Sequence, residues 1–292
     1  KEKFFQNKNN LFENNTSIEI GKIKIIFIKH HIAHAASAFF LSPFKNSDIL
    51  TIDGHGEEDT CYIGKGIDKK IAQTSLIKYP HSLGLFYGTF TDFLGFRPDV
   101  DEWKVMALSS YSVKKNHYDS KIRSLINFES NGFELDLNYF DYYTFDRKRN
   151  FFTKKLENLI GSARNKNDKF VKRHYEIAGA MQRVFSETVD HLLKITKRKG
   201  GKSGNIVLAG GAAMNCVYNG TLYKKNTYKK SFIPFCADDL GVSIGAGLYL
   251  ESTTSKTNIK KFYHNASFGP NYNKKFIKDE LKKFKANYIE PD

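Results

Sequence analysis

Two short apolar runs constrain this chain more than anything else in it. DILTIDG at residues 48–54 and NIVLAGG at 205–211 are β-branched, apolar and brief, and each ends in glycine. Runs of this kind read as buried strands. Helical patterns lie between and after them, and strands alternating with helices require an α/β fold. In such folds ligands bind beyond the carboxyl ends of the strands. The residues at those ends, Asp53 in one run and Gly210 and Gly211 in the other, therefore fall where chemistry is expected.

Other elements fit this frame. GKIKIIFI (21–28) reads as a strand, and a helix is expected from Ile32 to about Phe40. TCYIGKG and IAQTSLIKY read as two strands of a hairpin that turns around Gly66 and Asp68. From Ser82 to Leu94 an apolar stripe of Leu85, Phe86, Phe90 and Phe93 predicts a helix. Residues 174–196 predict an amphipathic helix with Ile177, Met181, Val184, Phe185, Val189 and Leu192 on one face. A helix is expected after Gly211, then a short strand at FIPF (232–235), then a helix opened by ADDLG. The stretch 113–170 is charged and aromatic, with no evident chemistry, and reads as an insertion or a lid of helices.

Composition narrows the function classes. No apolar run is long enough to span a bilayer and there is no signal peptide, so a cytoplasmic protein without a membrane role is expected. The three cysteines, Cys61, Cys216 and Cys236, show no C-x-x-C spacing and read as reduced thiols. The net charge of +15 invites nucleic acid, but the lysines are scattered and abundant Lys, Asn, Ile, Phe and Tyr together are what an AT-rich genome writes. Nucleic acid is accordingly disfavoured. The chain begins with Lys, not Met, which suggests part of something longer.

Several stretches carry candidate chemistry. In HHIAHAASAF, His30 and His34 are four apart, so they share a helix face and can grip one metal ion; a surface helix carrying histidines by chance is the plainer reading. TIDGHGEED sets Asp53 at a strand end, or is a polar turn. LAGGAAMNC offers backbone N–H groups to an anion, or is a tight strand-to-helix turn without a Walker A ending. In CADDLG one aspartate suffices to cap the following helix, which leaves the other as a possible ligand. In DEWKVMAL, Glu102 and Lys104 flank the only Trp, as a surface pair or with Lys104 reaching a phosphate or carbonyl oxygen. Together these make an inventory for metal-assisted nucleotide chemistry.

The ordered series HHIAHAASAF, TIDGHGE, YPHSLGLFYGTFTDFLGF, DEWKVMALSSY, LAGGAAMNCVYNG and DDLGVSIGAG closely resembles the NodU-type carbamoyltransferases of nodulation-factor and antibiotic biosynthesis, over roughly residues 21–268 except its middle. The resemblance implies an actin-like ATPase fold, with mixed sheets flanked by helices, partial here and similar to the enzyme that places threonylcarbamoyl on tRNA adenosine. It implies a metal held by His30, His34, Asp53 and Asp239, with iron favoured over zinc or manganese, and His31 as a neighbour. It implies ATP bound at Gly210, Gly211 and Asn215, with Gln182 and Glu187 as weaker ribose candidates. Lys104 would meet the phosphate or carbamoyl group, and Lys104 and His34 would be the catalytic residues.

The implied reaction converts carbamoyl phosphate and ATP to carbamoyl adenylate, whose carbamoyl group passes to a hydroxyl of a small-molecule acceptor. By the same resemblance, residues 1–268 are a catalytic domain lacking its first strands, and 269–292 a linker toward an absent YrdC-like domain that makes the adenylate; a homodimer is suggested. The family's G-L-A-P-Y-G reads ALSSYS here, so Ala107, Ser110 and Ser112 stand in place of two glycines and a proline. Two rivals follow: a tRNA threonylcarbamoyl transferase, and a degenerate, non-catalytic nucleotide-binding module.

Overall fold

The computed structural model describes residues 17–144, 150–200, 203–255, 266 and 270–290. The chain forms two compact units, Lys1–Phe262 and Tyr263–Asp292. The expected boundary at 268 falls outside the described residues.

The first unit opens with a hairpin of β1 (Ser17–Ile20) and β2 (Ile23–Ile26), followed by α1 (His30–Leu41). The single strand expected at 21–28 is thus the second arm of a hairpin, because Gly21 takes a left-handed φ of 62° and turns the chain. Next come β3 (Asn46–Gly56), β4 (Asp59–Ile67) and β5 (Lys70–Lys78), an antiparallel meander. Asp68, at φ 52°, forms the β4–β5 turn where the sequence places it. The helices α2 (Leu83–Phe93), α3 (Glu102–Ser109) and α4 (Tyr118–Arg123) follow, then a small hairpin of β6 (Ile126–Glu129) and β7 (Gly132–Leu135). Next are α5 (Lys154–Ile160), the long α6 (Lys172–Lys199), β8 (Asn205–Ala209), α7 (Cys216–Asn219), β9 (Lys230–Phe232) and α8 (Leu240–Thr254). The second unit contains α9 (Lys274–Lys283).

One mixed sheet organises the first unit, in the order β5-β4-β3-β8-β9. β8 runs parallel to both β3 and β9. Alternate residues of each strand feed opposite faces. Ile49, Tyr62, Val207 and Ala209 pack under Phe39 and Phe40 of α1. Leu50, Ile52, Ile63, Ile206 and Leu208 join the larger core beneath α2 and α6. The layers are therefore helix, sheet and helix, and the expected α/β fold with a mixed sheet flanked by helices is present. Every apolar residue of the stripes expected on α2 and α6 is buried.

Three expectations change in detail. Gly211–Met214 form a 3-10 turn and α7 spans only four residues, so no long helix follows the Gly-Gly. β9 ends at Phe232, two residues before Pro234, which has no N–H for a ladder. The stretch 113–170, expected as an insertion or lid, contributes α4, the β6–β7 hairpin and α5. Its Ile122, Leu125, Phe133, Leu135, Phe140 and Leu156 are buried in the larger core.

Two predictions follow from the packing. Glycine lets α8 lie directly on α1: a Cβ at Gly245 would stand 1.9 Å from the Ala33 carbonyl oxygen, whereas one at Gly247 meets nothing within 4 Å. Gly245→Ala is expected to cost about 1–3 kcal/mol by overpacking, and Gly247→Ala to be neutral or slightly stabilising, read as urea-unfolding midpoints. Equal effects would refute the close approach.

The second concerns His174, whose Nδ1 accepts the Val171 N–H at 3.1 Å and so caps the first turn of α6. Burial, then the charges of Arg173 and Arg164, hold its pKa below the ordinary imidazole value. Below about pH 6.5 the unfolded chain therefore binds more protons than the folded one, and stability falls as pH falls. The urea midpoint of the parent is expected to drop more steeply from about pH 7.5 to about pH 5 than that of His174→Asn. Parallel slopes would refute this.

Candidate metal centre and nucleotide turn

Because β3 and β8 run parallel with Thr51 opposite Ala209, their carboxyl ends reach the same edge of the sheet. Asp53 lies two residues beyond that register pair on β3, and Gly211 two residues beyond it on the other chain segment. At this edge the β3–β4 pairing breaks its register between Ile52 and Gly56. Such an irregularity re-aims side chains. One Asp53 oxygen, Oδ1, accepts the Gly211 N–H at 2.9 Å. The other, Oδ2, faces α1.

The helix α1 begins at His30, two residues earlier than expected, so both histidines are helical and one turn apart. Their Nε2 atoms converge 3.0 Å from each other. Asp53 Oδ2 lies 2.9 Å from His30 Nε2 and 3.3 Å from His34 Nε2. Asp239 Oδ1, at the start of α8, lies 3.4 and 3.3 Å from the same two nitrogens. The four ligand atoms all fall within 4.8 Å of one another. Asp238 settles which aspartate serves the helix: its Oδ1 accepts the Leu240 N–H at 3.2 Å, while Asp239, at the N-cap position, makes no capping bond.

A divalent ion bound at about 2.1 Å by each ligand holds neighbouring ligand atoms about 3.0 to 3.4 Å apart. The four closest His-to-Asp separations and the His–His separation fall in or beside that window. The donor set of two imidazoles and two carboxylates suits iron, zinc or manganese. The electrostatics agree with a shared cation position. Burial opposes a charge on His34, but its hydrogen bonds to the Asp239 and Asp53 carboxylates outweigh it and lift the imidazole to about 9. Burial would raise Asp53, yet the bonds from His30, His34 and the Gly211 N–H hold it well below the usual carboxylate range.

His31 is a neighbour of this set. Its Nε2–H donates to the Asp59 carbonyl at 3.1 Å, and its Nδ1 pairs with the Thr51 hydroxyl at 2.5 Å. Burial pushes it down to about 4, so it stays neutral.

Behind the Gly-Gly turn, Asn215 caps α7 by accepting the Tyr218 N–H at 2.9 Å. Its amide pairs reciprocally with that of Gln182, at 3.0 and 3.1 Å, and Tyr87 donates to Gln182 Oε1 at 2.9 Å. Gly210 has a φ of 90°, which the sharp exit from β8 requires of glycine, and its N–H bonds the Ala237 carbonyl at 2.7 Å. The Gly210 bond ties the turn to the segment before Asp239, and the Gly211 N–H ties it to Asp53.

Carbamoyltransferase N-terminus is the family whose model matches residues 2–248. The chain belongs to this family. As a carbamoyltransferase-family chain it is 36% identical to an uncharacterised protein of Synechocystis, sll1178, over 226 residues, 77% of this chain and 36% of that protein. It is 28% identical to nodulation protein NolNO of Sinorhizobium fredii, over 86% of this chain and 35% of that one. It is also 28% identical to nodulation protein NolO of Bradyrhizobium diazoefficiens, over 83% and 42%. The chain thus spans between about a third and two fifths of the length of these relatives. Among solved structures it is similar to component A of the Acidaminococcus fermentans (R)-2-hydroxyglutaryl-CoA dehydratase, with a TM-score of 0.42, 15% identity and coverage of 78% and 70%.

Two candidates lie apart from the centre in their contacts. Lys104 Nζ pairs with Asp101 Oδ1 at 2.8 Å and sits over the Phe96 and Trp103 rings. Glu187 pairs with Arg123 at 3.1 Å on an exposed face of α6. Five residues on from Gln182, Glu187 is rotated by about 140° in azimuth, which directs it away from Asn215. Conversely, Gly56 and Glu57 escaped notice as site residues. A Cβ at Gly56 would stand 2.3 Å from the His30 ring, so that glycine makes room for a ligand side chain. Both residues lie in TIDGHGEED, but nothing local in that stretch shows that they meet α1.

The geometry predicts one divalent ion per folded chain after dialysis against iron, zinc or manganese, and nearly none in His34→Ala, by elemental analysis. Asp239→Asn, which replaces a carboxylate by a neutral amide, is expected to weaken binding roughly 10- to 100-fold. Equal metal in the parent and His34→Ala would return the histidines to an ordinary helix face.

Proposed function

We propose that this chain is the catalytic part of an ATP-dependent O-carbamoyltransferase, which passes a carbamoyl group from carbamoyl adenylate to a hydroxyl of a small-molecule acceptor. The observation that carries the reading is Asp53, whose two oxygens join the His30, His34 and Asp239 set to the Gly211 N–H. A cation position and a nucleotide turn thereby share one carboxylate at the carboxyl edge of the sheet. Family membership and the nodulation-protein relatives support the same reading.

His30, His34, Asp53 and Asp239 would hold the metal, with iron favoured. Bound there, a divalent ion supplies Lewis-acid stabilisation of developing negative charge. In the transfer, a bond forms between the acceptor oxygen and the carbamoyl carbon, and the bond from that carbon to the adenylate oxygen breaks. AMP leaves with the electron pair, and the proton of the acceptor hydroxyl passes to water. Gly210, Gly211 and Asn215 shape the nucleotide turn. Gln182 acts by holding the Asn215 amide, since its own amide is already occupied by Asn215 and Tyr87. Lys104 remains the candidate for the phosphate or carbamoyl oxygen. Its pair with Asp101 is partly exposed, and such pairs are worth roughly 1 kcal/mol or less, so exchanging the partner costs little. A YrdC-like domain of the full-length protein would make the adenylate from carbamoyl phosphate and ATP, and a homodimer is compatible with this arrangement.

The full-length protein carrying this chain, given labelled carbamoyl phosphate, ATP, metal and a pool of polyhydroxylated small molecules, is expected to release AMP and form a carbamate ester. His34→Ala is expected to lower that rate by roughly 100-fold or more. Label transferred to tRNA, with affinity falling steeply with salt, would favour the tRNA-modifying reading, which the net charge of +15 supports. Nucleotide binding without turnover would favour a non-catalytic module. Coupled transfer by this chain alone would refute the division of labour.

A further inference from the structure

We propose that Glu57 is a positioning residue for the metal centre: from the tip of the β3–β4 hairpin it caps α1 and fixes His30. The helix α1 has no cap of its own. Its N-cap position is Lys29, which makes no side-chain capping bond, and its first turn holds no acidic residue. The orphan N–H groups of a helix start require a partner. Glu57 supplies one from 27 residues away. Its Oε2 and Oε1 accept the His30 N–H at 3.2 and 3.3 Å. A carboxylate at this end of a helix also meets the favourable end of the helix dipole.

The hairpin tip is shaped for this contact. Glu57 has a φ of 52°, a left-handed conformation that is uncommon for a residue with a Cβ. Glycine would adopt it freely, so the glutamate carries strain that its carboxylate contact offsets. Gly56, the preceding residue, leaves the space that the His30 ring fills. Glu58 diverges outward to Lys78 at 3.2 Å, and Asp59 pairs with the same lysine at 2.8 Å, which anchors the base of the tip. One strand end therefore holds α1 twice: Asp53 grips the imidazoles and Glu57 grips the backbone of His30. Without Glu57 the first turn of α1 is free to fray, and His30, not His34, is the ligand that moves.

The metal part of this inference rests on the proposed role of His30 as a ligand; the capping part does not. Glu57→Gly is the informative variant, because glycine keeps the left-handed turn without strain and removes only the carboxylate. Glu57→Gln keeps an acceptor oxygen and serves as the conservative rescue. Two measurements are made on the folded protein. In the metal-free state, hydrogen–deuterium exchange at the His30 amide is expected to be at least about tenfold faster in Glu57→Gly than in the parent. Glu57→Gln is expected to fall between them.

In the second measurement, Co(II) titration is expected to show roughly 10- to 100-fold weaker binding in Glu57→Gly, with a changed visible ligand-field spectrum and partial recovery in Glu57→Gln. Unchanged exchange at His30 would overturn the capping role. Parent-like Co(II) affinity and spectrum in Glu57→Gly, with faster exchange, would overturn the positioning role. No Co(II) binding by the parent would overturn the metal reading instead, and the exchange measurement would still decide whether Glu57 caps α1.

Discussion

The candidate site depends on one carboxylate. Asp53 is buried at the end of a central strand, and a buried carboxylate is costly unless its oxygens are satisfied. Here Oδ1 takes a backbone N–H from the Gly-Gly turn and Oδ2 takes the two imidazoles of α1. Those three bonds come from two other elements, so satisfying Asp53 requires α1 and the turn after β8 to be in place. A local requirement of one side chain therefore links the two layers of the fold. Hydrogen bonds to an ionised acceptor are the stronger kind, which makes this an efficient place to concentrate the constraint.

The sheet makes that arrangement possible. Only a parallel neighbour of β3 can present its own carboxyl end at the same edge, and β8 is that neighbour. The helices then complete the set from above. α8 lies on α1 closely enough that Gly245 faces the Ala33 carbonyl, and this brings Asp239 at the head of α8 over the Nε2 atoms of His30 and His34. Side chains from a strand and two helix starts meet because three packing relations hold at once. Residues 30, 53 and 239 are far apart in the chain, and no local property of any one segment forces them together.

Much of this was legible in the sequence. The strands that carry Asp53 and lead into Gly-Gly, the stripes of α2 and α6 and the turn at Asp68 follow from periodicity and turn chemistry, which are local. The four metal candidates were reachable from the i, i+4 histidines and from the spare aspartate of ADDLG, together with family resemblance. The structure turns the spare aspartate into a specific one, since Asp238 does the capping. What escaped was non-local. Glu57 meets His30 only because a hairpin folds back onto a helix, and Tyr87 meets Gln182 across 95 residues. Glu187 is placed apart from Gln182 for a simpler reason. Sharing a helix with Gln182 does not mean sharing its face: Gln182 is buried against Asn215, whereas Glu187 is half exposed and pairs with Arg123.

The same centre shows why position, more than residue type, sets behaviour. Three histidines fall within five residues, yet His31 and His34 are driven in opposite directions. Both are buried, and burial alone would keep both neutral. His31 faces a hydroxyl and a carbonyl, which offer no net charge, and its pKa sinks to about 4. His34 faces two carboxylates, which outweigh burial, and its pKa climbs to about 9. His31 and His34 are three helical positions apart, about 60° in net azimuth at about 100° per residue, and that offset suffices to give them different partner sets. A neutral imidazole locked between fixed dipoles is structural glue between α1 and the β3–β4 pair. An imidazole held against two carboxylates is a place where positive charge is favoured. That difference in surroundings divides a scaffold histidine from a candidate ligand histidine, and the HHIAH segment carries both within one turn.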